Sequence, residues 1–158
     1  NMLEIKLPGR NKTLRLKNLL IDLNGTLTNA GKLDSGVRER IMALKDKLNI
    51  YLLTADTYGT ARLISDDLDI ELIKIDEING GHDKRLFLHQ MNALESVAIG
   101  NGYNDIEMLD EAVLSIVIIG QEGCAIATLL KADIAVTNIN DALDLLLYPE
   151  KIVATLRA

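Results

Sequence analysis

Three short stretches of the sequence place chemistry-bearing residues at the ends of apolar runs. They are Asp22-Leu23-Asn24, Thr54-Ala55-Asp56 and Asn101-Gly102-Tyr103-Asn104-Asp105. A carboxylate at the end of a buried apolar strand is costly unless something pairs with it. Two such carboxylates, Asp22 and Asp105, with carbonyl and amide oxygens near them, make a hard-oxygen site suited to Mg²⁺. Gly25 and Thr26 can present backbone N–H groups to a phosphate. Thr54 can donate a hydroxyl to the same group. The remaining phosphate charge needs a cation; Lys84 is the candidate, with Arg85 and Lys74 as alternatives. Together these parts suggest phosphoryl transfer through an aspartate nucleophile.

The elements that must hold these residues are readable from hydrophobic spacing. Leu3, Ile5 and Leu7 alternate, Pro8 to Asn11 form a turn, and Leu14 and Leu16 resume the alternation. That pattern predicts an N-terminal β-hairpin. The run Asn18 to Leu23 is apolar until Asp22 and suits a strand buried on both faces. Further strands are expected at Ile50 to Thr54, Ile70 to Ile75, Ser96 to Gly100, Leu114 to Gly120 and Asp133 to Val136. Val37, Ile41, Leu44 and Leu48 form a helical stripe, with Asp34 or Ser35 as its N-cap. More helices are expected around Ala61 to Leu68, Asp83 to Asn92, from Ile106, and from Gln121 to Lys131. The C-terminal stretch, Asn140 to Arg157, reads as one or two helices broken at Pro149. Strands alternating with helices predict an α/β fold, a Rossmann-like sandwich of three layers with a mostly parallel sheet of about five strands. In such sheets ligands sit beyond the carboxyl ends of the strands, where the three polar stretches fall.

Composition removes other readings. The chain has 158 residues, which suits a single domain over 1–158. Asn1, ahead of Met2, is expected to be a cloning remnant. Net charge is −6 and aromatics are 3 %, so neither a basic face for nucleic acid nor a base-stacking platform is indicated. Cys124 is the single cysteine, which excludes an internal disulfide. The longest apolar run, Ala112 to Gly120, is about half of the ~18–20 residues that a membrane span needs. A cytoplasmic protein with no membrane partner is expected. His82 and His89 read as surface residues, and Cys124 as a packed helix residue. Asp56 reads as a helix N-terminal residue, and Glu107, Asp110 and Glu111 as a solvated helix face.

The strings LLIDLNGTLT, LLTADT, Lys84 and AIGNGYNDIEML resemble the four motifs of the haloacid dehalogenase superfamily, in order and in register from about residue 18 to 115. DLNGTLT followed by GNGYND is similar to the phosphorylation domain of P-type ATPases and to soluble phosphatases related to it. The resemblance implies that Asp22 is the nucleophile and that the backbone carbonyl of Asn24 is a metal ligand. It implies that Thr54, with Ala55 beside it, binds a phosphate oxygen and that Lys84 neutralises charge on the phosphoryl group. Asn101 and Asp105 would hold Mg²⁺, directly or through water, and Asn104 would orient their loop. The intervals from Asp22 to Thr54 and from Thr54 to Lys84 are 32 and 30 residues, with no room for an inserted cap domain. Similar capless phosphatases act on large substrates or borrow a cap from a neighbouring subunit, so a homo-oligomer is one option.

Two departures from the family pattern carry weight. The superfamily's phosphatases usually have an aspartate two residues after the nucleophile, as general acid and base. Asn24 stands there and cannot exchange a proton. Asn101 stands where the metal loop usually starts with an aspartate. The resemblance therefore implies a Mg²⁺-dependent phosphohydrolase acting on a phosphorylated substrate through an aspartyl-phosphate, with slow turnover. The alternative is a catalytically weakened relative that regulates or binds phosphate.

Overall fold

Leu3, Ile5 and Leu7 are buried and alternate with exposed Glu4 and Lys6, so one face of the first strand is apolar. That strand, β1 (Leu3–Leu7), pairs antiparallel with β2 (Lys12–Leu16), Leu3 opposite Leu16. The computed structural model describes residues 2–56 and 58–158, so Asn1 lies outside the described residues. The remaining strands are β3 (Asn18–Asp22), β4 (Asn49–Thr54), β5 (Glu71–Lys74), β6 (Ser96–Gly100), β7 (Leu114–Ile118) and β8 (Ile134–Val136). They form one six-stranded sheet in the order β5-β4-β3-β6-β7-β8, with every pairing parallel. The sheet has six strands where about five were expected, and the short strand anticipated at Asp133 to Val136 forms one edge as β8.

Helices cover both faces. They are α1 (Val37–Leu44), α2 (Thr60–Leu68), α3 (Gly80–Gln90), α4 (Ile106–Glu111), α5 (Ile126–Leu129), α6 (Ile139–Leu147) and α7 (Glu150–Leu156). The two-residue period of a strand divides the core. Leu19 and Ile21 of β3 join Leu52, Ile99, Ile41 and Leu143 in a large cluster that also takes the hairpin leucines. Leu20, between them, points the other way and meets Leu53, Ala98, Leu88 and Met108. Asp22 has the parity of Leu20. Its side chain therefore emerges on the face covered by α3 and α4.

Several boundaries differ from expectation, each for a local reason. Helix α1 starts at Val37, after Gly36 at φ +90°, with no side-chain cap from Asp34 or Ser35. Asp34 instead accepts the Val37 N–H at its carbonyl, and the Ser35 carbonyl accepts the Asn140 amide. Helix α3 begins at Gly80 rather than Asp83. Its start is fixed by Asp76, whose carboxylate accepts the N–H groups of Ile78 and Asn79 at 2.9 and 2.7 Å. The helix expected over Gln121 to Lys131 shrinks to α5. The chain turns back first, Gly123 N–H to Gly120 carbonyl at 2.9 Å, with Gly123 at φ +73°. Cys124 thus lies ahead of α5 in irregular chain, half-buried against the smaller cluster, and is not a helix core residue. Asp56 is not at a helix start either. It precedes α2 by four residues and accepts the Tyr58 N–H at 2.9 Å in a turn. The terminal break at Pro149 separates α6 from α7 as expected. Among the described residues no helix is long and apolar enough to cross a membrane.

Leu19 is fully buried at the centre of the larger cluster. Leu19→Ala should lower unfolding free energy by ~2–5 kcal/mol, read by urea denaturation.

Candidate active site

The carboxyl ends of β3, β4 and β6 bring most of the expected residues to one place. Lys84, one turn into α3, is fully buried, and its Nζ lies 2.7 Å from Asp22 Oδ1 and 2.6 Å from Asp105 Oδ1. It also donates to Asn104 Oδ1 at 3.4 Å. An ammonium of zero exposure needs paired acceptors, and here it has two carboxylates. Helix α3 is seated by Phe87, whose ring meets Tyr51 of β4 edge-on at 5.2 Å. Arg85, an alternative to Lys84, is instead paired with Glu111 at 2.7 Å on the surface. Lys74, the other alternative, ends β5 on the exposed sheet edge.

Asp105 is the best-held group of the site. Its Oδ2 accepts the N–H groups of Asn101 and Gly102, each at 3.0 Å, while Oδ1 faces Lys84. The carboxyl lies against the Cα of Gly100, where an added Cβ would meet it at 2.5 Å. Gly100 therefore admits the carboxylate by having no side chain. The acidic loop is braced from behind: Ala125 N–H donates to the Asn101 carbonyl at 3.0 Å and the Thr128 hydroxyl to the Gly102 carbonyl at 2.8 Å.

Asp22 keeps a 13 % exposed side chain. Burial pushes its carboxyl up to about 6, the Asp105 charge adds to this, and Lys84 and Thr26 oppose it. Burial by itself would lower Lys84, but the two carboxylates hold its pKa above the usual lysine value. Thr26 enters the site through its hydroxyl, 3.2 Å from Asp22 Oδ2 and 3.0 Å from Asn101 Oδ1. Its backbone N–H is already bonded to the Leu23 carbonyl at 3.2 Å, so the amide expected to face a phosphate is engaged elsewhere. Gly25 lies in the same turn at φ +74°. Thr54 is buried and accepts the Asp56 N–H at 3.3 Å, which leaves its hydroxyl proton to donate. Ala55 is half-buried beside it, and Asn24 and Asn104 are exposed. His82 is exposed, and His89 pairs with Glu111 on the surface.

Among the described residues, no group of three or more His, Cys, Asp or Glu side chains could hold a metal ion. The two carboxylates against one ammonium nonetheless leave a surplus negative charge, which adds to burial in raising the Asp22 carboxyl. Oxygen donors with that surplus fit Mg²⁺, which takes one or two carboxylates and fills its remaining positions with water and phosphate. Asp22 Oδ2, with only a 3.2 Å partner, is the oxygen most open to an ion. Asp105 is saturated on Oδ2 and would reach one through water.

No protein-family model matches the sequence. The uncharacterized protein MJ0073 of Methanocaldococcus jannaschii is 41 % identical over 92 residues, covering 54 % of this chain and 99 % of that protein. This chain belongs to one family with it. A second protein of that organism, MJ0072, is 51 % identical over 39 residues, covering 25 % of this chain and 89 % of its own. Among solved structures, the cobalt-bound deoxy-D-mannose-octulosonate 8-phosphate phosphatase of Haemophilus influenzae superposes with a TM-score of 0.72 at 16 % identity, over 90 % of this chain and 94 % of that one. The corresponding phosphatase of Moraxella catarrhalis, in complex with magnesium, phosphate and its sugar, gives 0.68 at 17 % identity, over 90 % and 94 %. The fold is that of the haloacid dehalogenase superfamily. This chain builds its described residues around a parallel sheet, with no separate cap inserted between β3 and α3.

One residue near the site was not anticipated. Glu122 lies in the turn after β7, and its Oε2 would be 2.9 Å from a Cβ placed on Gly25. The expected helix over this stretch concealed it, although its place beyond a strand's carboxyl end was the available signal.

The raised Asp22 carboxyl has a consequence for the metal-free protein. The folded state keeps the proton over a window from 3.8 to about 6 in which the unfolded chain has lost it. That contribution is fully present below the unfolded value and is lost as pH rises through the folded one. The melting temperature without divalent metal should therefore fall across this window in wild type relative to Asp22→Asn, by differential scanning calorimetry.

Proposed function

We propose that this protein is a Mg²⁺-dependent phosphohydrolase that forms an aspartyl-phosphate at Asp22. The observation that carries the reading is the buried Lys84 ammonium bridging Asp22 and Asp105 at 2.7 and 2.6 Å. It fixes the orientation of one carboxylate at a strand end, opposite an acidic loop, and Thr54 ends the neighbouring strand. Bound Mg²⁺ would neutralise phosphoryl charge and orient the ester; Asp22, the Asn24 carbonyl, Asn101 and Asp105 would hold it, the last through water.

The chain's own groups do the rest. An oxygen of Asp22 attacks phosphorus, the P–O bond to the alcohol breaks, and the departing alkoxide takes its proton from water. Thr54 donates its hydroxyl to a phosphoryl oxygen. Lys84 keeps Asp22 in one orientation and balances part of the incoming charge. Water then attacks the aspartyl-phosphate, releasing phosphate and restoring Asp22. Asn24 cannot act as the base for this second attack. General base help is worth ~10²–10⁴-fold, so the phosphoenzyme forms faster than it breaks down.

Two variants test this in one assay of p-nitrophenyl phosphate hydrolysis with Mg²⁺. Asp22→Asn should reduce the rate to background. Asn24→Asp should raise turnover, by up to ~10²–10⁴-fold, and reduce the phosphoenzyme seen by mass spectrometry of acid-quenched protein. A folded wild type without any Mg²⁺-dependent rate would favour the regulatory, phosphate-binding alternative.

A further inference from the structure

A cleft of about 180 Å³ opens beside the nucleophile loop. Its walls come from the loop after β3, the turn after β7 and the segment after β8. Gly25 and Thr26 line it, and the Thr26 hydroxyl lies 3.2 Å from Asp22 Oδ2, so the cleft adjoins the reacting centre. The lining holds no lysine, arginine or aromatic residue. Asn29, Asp34, Gln121, Glu122 and Thr137 all face it and make no side-chain hydrogen bond among the described residues. Five unused polar groups in one recess, two of them carboxylates, form a surface ready for a ligand rich in donors. Glu122 reaches the nucleophile loop from the turn after β7, at Gly25, three residues beyond Asp22. Its carboxylate rests over Gly25, whose Cβ position lies 2.9 Å from Glu122 Oε2 and 2.6 Å from Asn101 Nδ2.

We infer that this cleft seats the alcohol half of the phosphate ester. Glu122 and Asp34 select a hydroxyl-rich neutral or cationic group and reject one with a further carboxylate or phosphate. The inference rests on the phosphohydrolase reading for the position of the phosphoryl group. A second anion on the substrate would meet two carboxylates with no cation to offset them, and like charges brought together in a recess weaken binding. Sugar or polyol hydroxyls would donate to Glu122 and Asp34 and exchange hydrogen bonds with Asn29, Gln121 and Thr137. A nucleobase would find no aromatic face to stack on.

Glycerol 3-phosphate and 3-phosphoglycerate test this, because they share a three-carbon frame and differ by a hydroxymethyl against a carboxylate. Their affinities are measured by calorimetry with Mg²⁺ on Asp22→Asn protein, so that no turnover is needed. Glycerol 3-phosphate should bind roughly three- to tenfold more tightly. Glu122→Lys in the same background should erase or invert that preference, and Glu122→Gln should narrow it. Equal affinities, a preference for 3-phosphoglycerate, a ratio unmoved by Glu122→Lys, or no binding of either ester would each overturn the inference. Failure of the phosphohydrolase reading shows separately, as wild type that binds with the expected ratio yet hydrolyses no phosphate ester.

Discussion

A single buried ammonium holds together two carboxylates that would otherwise repel each other. Lys84 has no exposure, and removing it from water is tolerable only because Asp22 and Asp105 both lie within hydrogen-bond distance. Much of the local structure serves that contact. The Asp76 turn sets where α3 begins, and hence which residue of α3 reaches the strand ends. Gly100 clears space for the Asp105 carboxyl, and two backbone N–H groups hold its far oxygen. The balance is deliberately incomplete in charge: two negatives share one positive. Burial raises the Asp22 carboxyl and the surplus adds to that, and such an oxygen-lined site suits a hard divalent cation.

The legible part of this arrangement is the part governed by strong, local patterns. Continuous apolar runs marked strands buried on both faces, and the polar residue that ended each run marked the sheet's carboxyl edge. Asp22, Thr54 and Asp105 were found this way, and Lys84 by the phosphate charge left over. What escaped was set by backbone geometry that composition encodes weakly. Gly36, at positive φ, takes the cap position expected of Asp34 or Ser35, and Gly123, also at positive φ, delays the helix expected from Gln121. The shortened α5 in turn frees the Gly120 to Gly123 turn, which is how Glu122 comes to lie over Gly25. Thr26 is a different case. Its type suggested an amide donor in a phosphate loop, but the tight turn spends that amide on Leu23 and turns the hydroxyl toward Asp22 and Asn101.

Topology explains why these residues meet where they do. From β3 the chain winds outward through β4 to β5; it then returns past its starting point to β6 and winds outward the other way to β8. The order reverses between β3 and β6. Right-handed crossovers in opposite directions put their helices on opposite faces, so the two loops leaving this pair of strands diverge and leave a crevice at their carboxyl ends. Asp22 ends β3, and the Asn101 to Asp105 loop leaves β6, so the two carboxylates stand on the two sides of that crevice. The connection that makes the reversal is α3, which crosses back over β4, as the contact between Phe87 and Tyr51 records. A helix on that path is the element that can deliver a side chain between the two loops from the covered face. A cation there closes the bottom of the crevice without blocking its mouth. The cleft beside Thr26 can then remain open to solvent while the carboxylate it adjoins is held rigid from below.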